Sequence, residues 1–266
     1  MKQSLLSRAI QDLVEGFKLW RIWFLLGWQD LRLRYRRSVI GPFWITLSMA
    51  IMIYSMGFLY AKLFKVDLST YYPYLAAGMI TWNFIATVIT DSSDAFFSNT
   101  HFIKQIKLPY TVYILRLLTR NSMIFVHNLV AIIPIIIIFK VKMSVLTLFI
   151  LILNFSLLNI CAFNYAFIVS LVGTRFQDIK QIIISIVQIL FLLTPIMWMP
   201  TMIPERFGYF ATYNPFYQLL TAIREPLLGQ IPSTFTYVYI LCFTALGFVM
   251  MFLLLWRCRH RIAFWI

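Results

Sequence analysis

Four arginines, Arg32, Arg34, Arg36 and Arg37, stand in the stretch LRLRYRRSVIGPFW (31–44), just ahead of Gly41-Pro42 and a long apolar run. Each guanidinium is a planar fork that grips two oxygens at once, so such a cluster suits the anionic headgroup of a lipid or a diphosphate. It suits equally an anchor that fixes which side of a membrane the segment occupies. A second set is made of opposite charges. Asp91 and Asp94 close one apolar stretch, and Arg116 and Arg120, one helical turn apart, precede the next. In an antiparallel hairpin these four are natural ion-pair partners, which favours a structural role over transport. Asp30 has Arg34 four residues on, the spacing of a helical ion pair. Asp30 and Asp94 are also weak candidates for catalytic carboxylates at an interface. His127 and Asn128 have no second histidine nearby, so bonds to neighbouring helices suit them better than a metal or a proton.

The elements that must position these residues follow from composition. With 61% apolar residues and only 12% charged, and a mean hydropathy of +0.82, the chain is expected to be an all-α integral membrane protein. Stretches free of Asp, Glu, Lys and Arg cover 39–61, 68–90, 121–139, 143–174, 181–204 and 226–256. Each is near or above the roughly 20 residues needed to span, which predicts six transmembrane helices. A further stretch, 207–223, is marginal in length and interrupted by Asn214-Pro215, so it is not counted. Residues 17–37 are too charged to span and too aromatic for a solvated tail, and predict an amphipathic helix lying in the interface. Gly41-Pro42 then turns the chain into the first span. With the N-terminus inside, 17 of the 23 Lys and Arg fall on cytoplasmic segments, so both termini are expected in the cytoplasm. The net charge of +14 flanks spans instead of forming a soluble basic face, which argues against nucleic acid and for anionic membrane lipids. Cys161, Cys242 and Cys258 have neither disulfide nor metal spacing, and no cleavable signal is expected at the N-terminus.

Three connecting segments stand out. SNTHFIKQIKLPY, after the second span, is long enough for one small cytoplasmic helix. GTRFQDIKQI is a compact charged turn suited to touching a cytoplasmic partner. Pro200 to Pro232 is proline-rich yet apolar, and within it NPFYQLLTAIREPLLG reads as a short helix with Asn214 as N-cap, Pro215 as first residue and Gly229 beyond its end. Such a segment can dip into the membrane and return where protein or a water-filled cavity satisfies its backbone. No glycine precedes Lys and Ser or Thr in a phosphate-binding loop, and no metal or nucleophile motif is present. The chain is therefore not expected to hydrolyse nucleotide or to hold a catalytic or metal site.

Taken in order, RYRRSVIGPFW, the polar end of the second span with SNTHFIKQIKLPY, RFQDIK and NPFYQLLTAIREPLLG resemble the membrane subunit of polysaccharide-exporting ABC transporters, the permeases for O-antigen, group 2 capsule and wall teichoic acid. The resemblance covers nearly the whole chain. It implies a single transmembrane domain over 1–266: a tail and interface helix (1–38), spans one to five (39–199), an outer re-entrant segment (200–233) with Asn214, Pro215 and Arg224, and span six with a basic tail (234–266). It implies a homodimer in the bacterial inner membrane, joined to two copies of a separate ATPase that binds the ATP and Mg, with no cofactor in this chain. By carry-over, Asn99 to Leu108, including His101, Phe102, Lys104 and Lys107, holds the coupling helix, and the turn with Arg175 and Asp178 makes a second contact. The substrate is a lipid-linked or polyprenyl-linked glycan, O-antigen above others. Tyr54, Phe58, Tyr60, Trp82, Phe84, Phe191 and Trp198 are candidates to line its channel, and Arg34, Arg36 and Arg37 to hold its headgroup. A membrane enzyme acting on polyprenyl phosphate and a permease for drugs or small lipids are the alternatives.

Overall fold

A computed structural model describes residues 5–34, 36, 40–41, 43–202, 204 and 208–266. Among the described residues every regular element is a helix. Two come first, α1 (Leu5–Lys18) and α2 (Trp20–Arg34), broken only at Leu19. Both keep large rings exposed, among them Phe17, Trp20, Phe24 and Trp28, as helices lying among lipid headgroups require.

Among the described residues five helices are long and apolar enough to cross a membrane. They are α3 (Phe43–Phe64), α4 (Leu68–Ser92), α6 (Tyr110–Leu129), α8 (Val145–Arg175) and α12 (Thr234–Cys258). The short α5 (Thr100–Gln105) lies between α4 and α6; α7 (Ile133–Ile138) prolongs α6, and α13 (Ile262–Trp265) follows α12. The protein is thus a multi-pass membrane protein. α4 is its centre: 67% of its apolar window is buried, against 39% at most in the other four. The run Ala76-Ala77-Gly78 lets neighbours close in on it, and α3, α6, α8 and α11 (Pro215–Leu227) all pack there.

Three expected spans differ. Counting charge-free residues starts the third at 121, whereas α6 begins at Tyr110, because Arg116 and Arg120 sit inside the helix and are paired there. The fifth, expected over 181–204, is the 15-residue α9 (Ile179–Leu193). At 1.5 Å per residue α9 reaches only about 22 Å, short of the roughly 30 Å hydrocarbon core. Its stop is local: Thr194 is extended (φ −90°, ψ 137°), the conformation a residue before proline prefers, and Pro195 follows. A non-helical stretch, a 3-10 turn (Pro200–Met202) and α10 (Gly208–Thr212) then lead to α11. α11 ends as expected near Gly229, at φ 79°, so the last span opens at Thr234, capped by Ser233, instead of at 226.

α1 packs against α6 and α12, α2 against α6, and α13 against α8. The ion pairs Arg116–Asp30, Arg120–Asp91, Lys180–Asp94 and Arg259–Asp12, with Arg175 beside the Trp265 ring, mark this as the basic end of the bundle.

Candidate functional site

At the basic end an open cleft of about 750 Å³ lies between α2 and α6, lined by Trp28, Leu31, Arg32, Arg36 and His127 among others. Trp28 and Arg32 stand four residues apart on one face of α2, and Arg36 lies in the turn beyond its end, donating its N–H to Leu33 O at 3.4 Å. Arg34 lies about 200° around from Arg32; it is exposed and does not line the cleft. Arg37 lies outside the described residues. Of the expected trio Arg36 lines this cleft, and Arg32, outside that trio, lines it too.

The charge pairs are redistributed. Arg120 meets Asp91 at 2.7 Å, as the hairpin suggested, and Asn121 donates to the same carboxylate at 3.2 Å. Arg116 instead takes both oxygens of Asp30 at 2.6 and 2.7 Å, so Asp30 is committed to α6 and not to Arg34. Asp94 goes to Lys180 at 2.9 Å, at the start of α9. Asn128 does bond a neighbouring helix, donating to Asn83 at 3.3 Å, while the His127 ring meets Met123 O on its own helix at 2.8 Å. Among the described residues no three His, Cys, Asp or Glu stand close enough to hold a metal ion.

The segment expected to couple contains α5, which buries none of its residues. His101 and Phe102 are exposed, as are Lys104 and Lys107 at its end. Asn99 caps the carbonyl of Ala95 at 2.7 Å and so ties α5 to the end of α4. Arg175 is flanked by the rings of Phe176 (5.1 Å) and Trp265 (5.6 Å), which brings the C-terminal α13 to the turn that also carries Asp178. The role of α13 had no local signal in the sequence.

The seven aromatic candidates do not form one surface. Trp82 and Phe191 come together at 6.0 Å, with Phe216 of α11 on the other side of the indole at 5.9 Å. Phe84, two residues on, is turned to the other side of α4, where it is buried edge-on against the stacked rings of Phe125 and Phe155. Tyr54 packs with Tyr72 and donates to Ala131 O. Tyr60 stacks on Phe64. Phe58 is exposed with Lys62 above its ring. Trp198 donates to Leu192 O at 3.1 Å, closing the end of α9.

At the opposite end, Asn214 caps α11, accepting from Phe216 N at 2.9 Å, with Pro215 in the first turn. The non-helical stretch after α9 leaves carbonyls that nothing in a hydrocarbon core would satisfy. Protein donors meet them: Tyr71 reaches Met197 O at 2.6 Å and Tyr74 reaches Pro195 O at 3.0 Å. Arg224, 3% exposed, adds a bond to Pro195 O at 2.8 Å while its guanidinium lies 3.8 Å from the centre of the Tyr74 ring. Arg224 therefore fixes α11 to the non-helical stretch that follows α9. Burial raises the adjacent Glu225 carboxyl above the usual range, against the lowering effect of Arg224.

A family model described as ABC-2 type transporter matches residues 21–228. Two curated proteins of Klebsiella pneumoniae, each described as O-antigen export system permease protein RfbA, are both 25% identical to this chain over 222 residues. One match covers 84% of this chain and 85% of the relative; the other covers 82% and 84%.

Proposed function

The chain belongs to the ABC-2 type transporter family, and from that premise we propose that it is the permease of an ATP-driven exporter of a lipid-linked polysaccharide, O-antigen above others. Two copies combine with two copies of a separate ATPase in the bacterial inner membrane. The basic end, with both termini, is the cytoplasmic one, the side that Lys and Arg favour. ATP and Mg belong to the partner, in keeping with a sequence that has no phosphate-binding loop.

The observation that carries this reading is the surface of α5 and its flanks. Phe97, Phe102 and Ile106 are each about half exposed at the basic, water-facing end, beside Lys104 and Lys107. Large apolar side chains clustered there mark a protein contact, the ATPase. The glycan rests on the two relatives named for O-antigen export and on the arginine cleft, which suits the phosphate of a lipid-linked sugar.

Co-expression with the ATPase of the same transport system tests the docking. The two should purify together, and Ile106→Asp should weaken their association about tenfold or more, the scale of an interface anchor, without removing the chain from the membrane. Full ATP-dependent export by this chain in liposomes with no ATPase present would sink the reading. The cleft has its own check in cells: Arg32→Gln with Arg36→Gln should lower polysaccharide export about tenfold, the value of losing two charge-assisted phosphate contacts, with ATPase assembly intact. Unchanged export would return these arginines to an anchoring role.

A further inference from the structure

We propose that Arg116 is a positioning residue that makes α2 follow α5, so that movement of the ATPase-docking segment reaches the arginine cleft. The inference rests on the docking reading above and adds to it the route by which the docked segment acts.

The guanidinium of Arg116 serves three segments at once. Nε and Nη2 hold the two oxygens of Asp30 on α2, while Nη1 donates to Asn99 Oδ1 at 2.9 Å, just before α5. The ring of Phe102, on α5 itself, lies 5.9 Å from the guanidinium carbon. A planar fork with fixed directions transmits displacement in a way that a lysine ammonium on its flexible stem does not. Both charged side chains are only 17% exposed, so the pair is shielded from the screening that empties surface ion pairs of effect.

The two ends of the linkage differ in firmness. α2 is held close to α6, since a Cβ at Gly27, one turn before Asp30, would sit 2.9 Å from Arg116 O. α5 is held less firmly: none of its residues is fully buried, and Ile103 is partly buried against the core. The polar link through Arg116 joins this lightly seated docking helix to α2. Arg32 follows Asp30 by two residues on α2, and Arg36, in the turn beyond that helix, lines the same cleft. A push on α5 is thus delivered to the residues that face the headgroup.

The test uses the chain reconstituted with its ATPase in vesicles, with ATP hydrolysis and glycan export measured on the same preparation. Arg116→Gln and the near-isosteric Asp30→Asn should each keep ATPase association and hydrolysis within about twofold while export per ATP falls about tenfold. Because both remove one shared interaction, the double variant should be no worse than either single one. The charge-reversed pair, Arg116→Asp with Asp30→Arg, should recover part of the lost export. Unchanged export per ATP in Asp30→Asn, or hydrolysis and export falling together, would overturn the proposal and leave Arg116 a structural tie. If the unsubstituted chain neither retains an ATPase nor exports, the docking reading itself fails, and this proposal falls with it.

Discussion

Replacing Gly173 with leucine is expected to prevent the basic end from assembling, and even Gly173→Ala should destabilise the protein by about 1–3 kcal/mol, the usual cost of overpacking a closed contact. A Cβ at this position on α8 would stand 2.1 Å from the carbonyl oxygen of Ser93 and 2.9 Å from its carbon. Those are backbone atoms at the end of α4 and cannot swing aside like the tip of a side chain. Neighbouring contacts confine the same spot, since Ser170 donates to Ser92 O at 2.7 Å and the Phe96 and Phe167 rings meet at 5.9 Å. Alanine is the better helix former by about 1 kcal/mol, so the clash must exceed that gain for the net effect to be a loss. At 2.1 Å it does. The measurement is the thermal midpoint of the purified protein in detergent, with Gly208→Ala as the control, because among the described residues nothing lies within 4 Å of a Cβ there. Equal midpoints for Gly173→Ala and the unsubstituted chain would mean that α4 and α8 separate easily at this end.

The two ends of the bundle show where local reasoning from sequence succeeds and where it stops. Asn214, Pro215 and Gly229 act within one helix, so their types alone fixed the start and end of α11, and the structure agrees. Arg120 and Asp91 lie on consecutive spans, and hairpin logic paired them. Arg116 was given to the wrong carboxylate because its partner, Asp30, is 86 residues away on a helix outside the spans. Asp94 likewise found Lys180 rather than an arginine of α6. In both cases the competing partner arrives through packing of distant elements, which a rule about adjacent spans does not weigh. The fifth span was overcounted for a different reason: hydropathy continues past Thr194, but Pro195 stops the helix. Among the rings, position in the sequence could not tell Trp82 from Phe84. A two-residue step on a helix turns a side chain to the far side, so one meets Phe191 and the other fills the interior.

Asp12 is the residue whose loss should cost most relative to the attention its sequence position attracts. It lies in an amphipathic helix of mixed charge, yet its side chain is completely buried and four donors converge on it. Tyr110 N and Thr111 N donate at 3.2 and 3.1 Å, Thr111 Oγ1 at 2.9 Å, and Arg259 Nε at 2.9 Å. α6 needs this, because its N-cap is Pro109, which has no side-chain acceptor for the first free N–H groups. A carboxylate from α1 does the capping from 98 residues away and binds the end of the chain through Arg259 as well. Asp12→Ala should therefore destabilise the protein by about 2–4 kcal/mol, more than the roughly 1 kcal/mol of an ordinary cap because buried donors and a charge lose their acceptor together. Arg259→Gln should cost less than half as much: its side chain is 30% exposed and can turn to water, and the three α6 donors keep their partner. The double variant should come close to Asp12→Ala alone, since the one further contact of the arginine given up there is its guanidinium over the Tyr110 ring at 5.9 Å, a small term at a partly exposed site. Thermal midpoints of the three proteins in one detergent decide it. If Asp12→Ala proved no more harmful than Arg259→Gln, the cap on α6 would be dispensable and the carboxylate would serve only to hold the C-terminal tail.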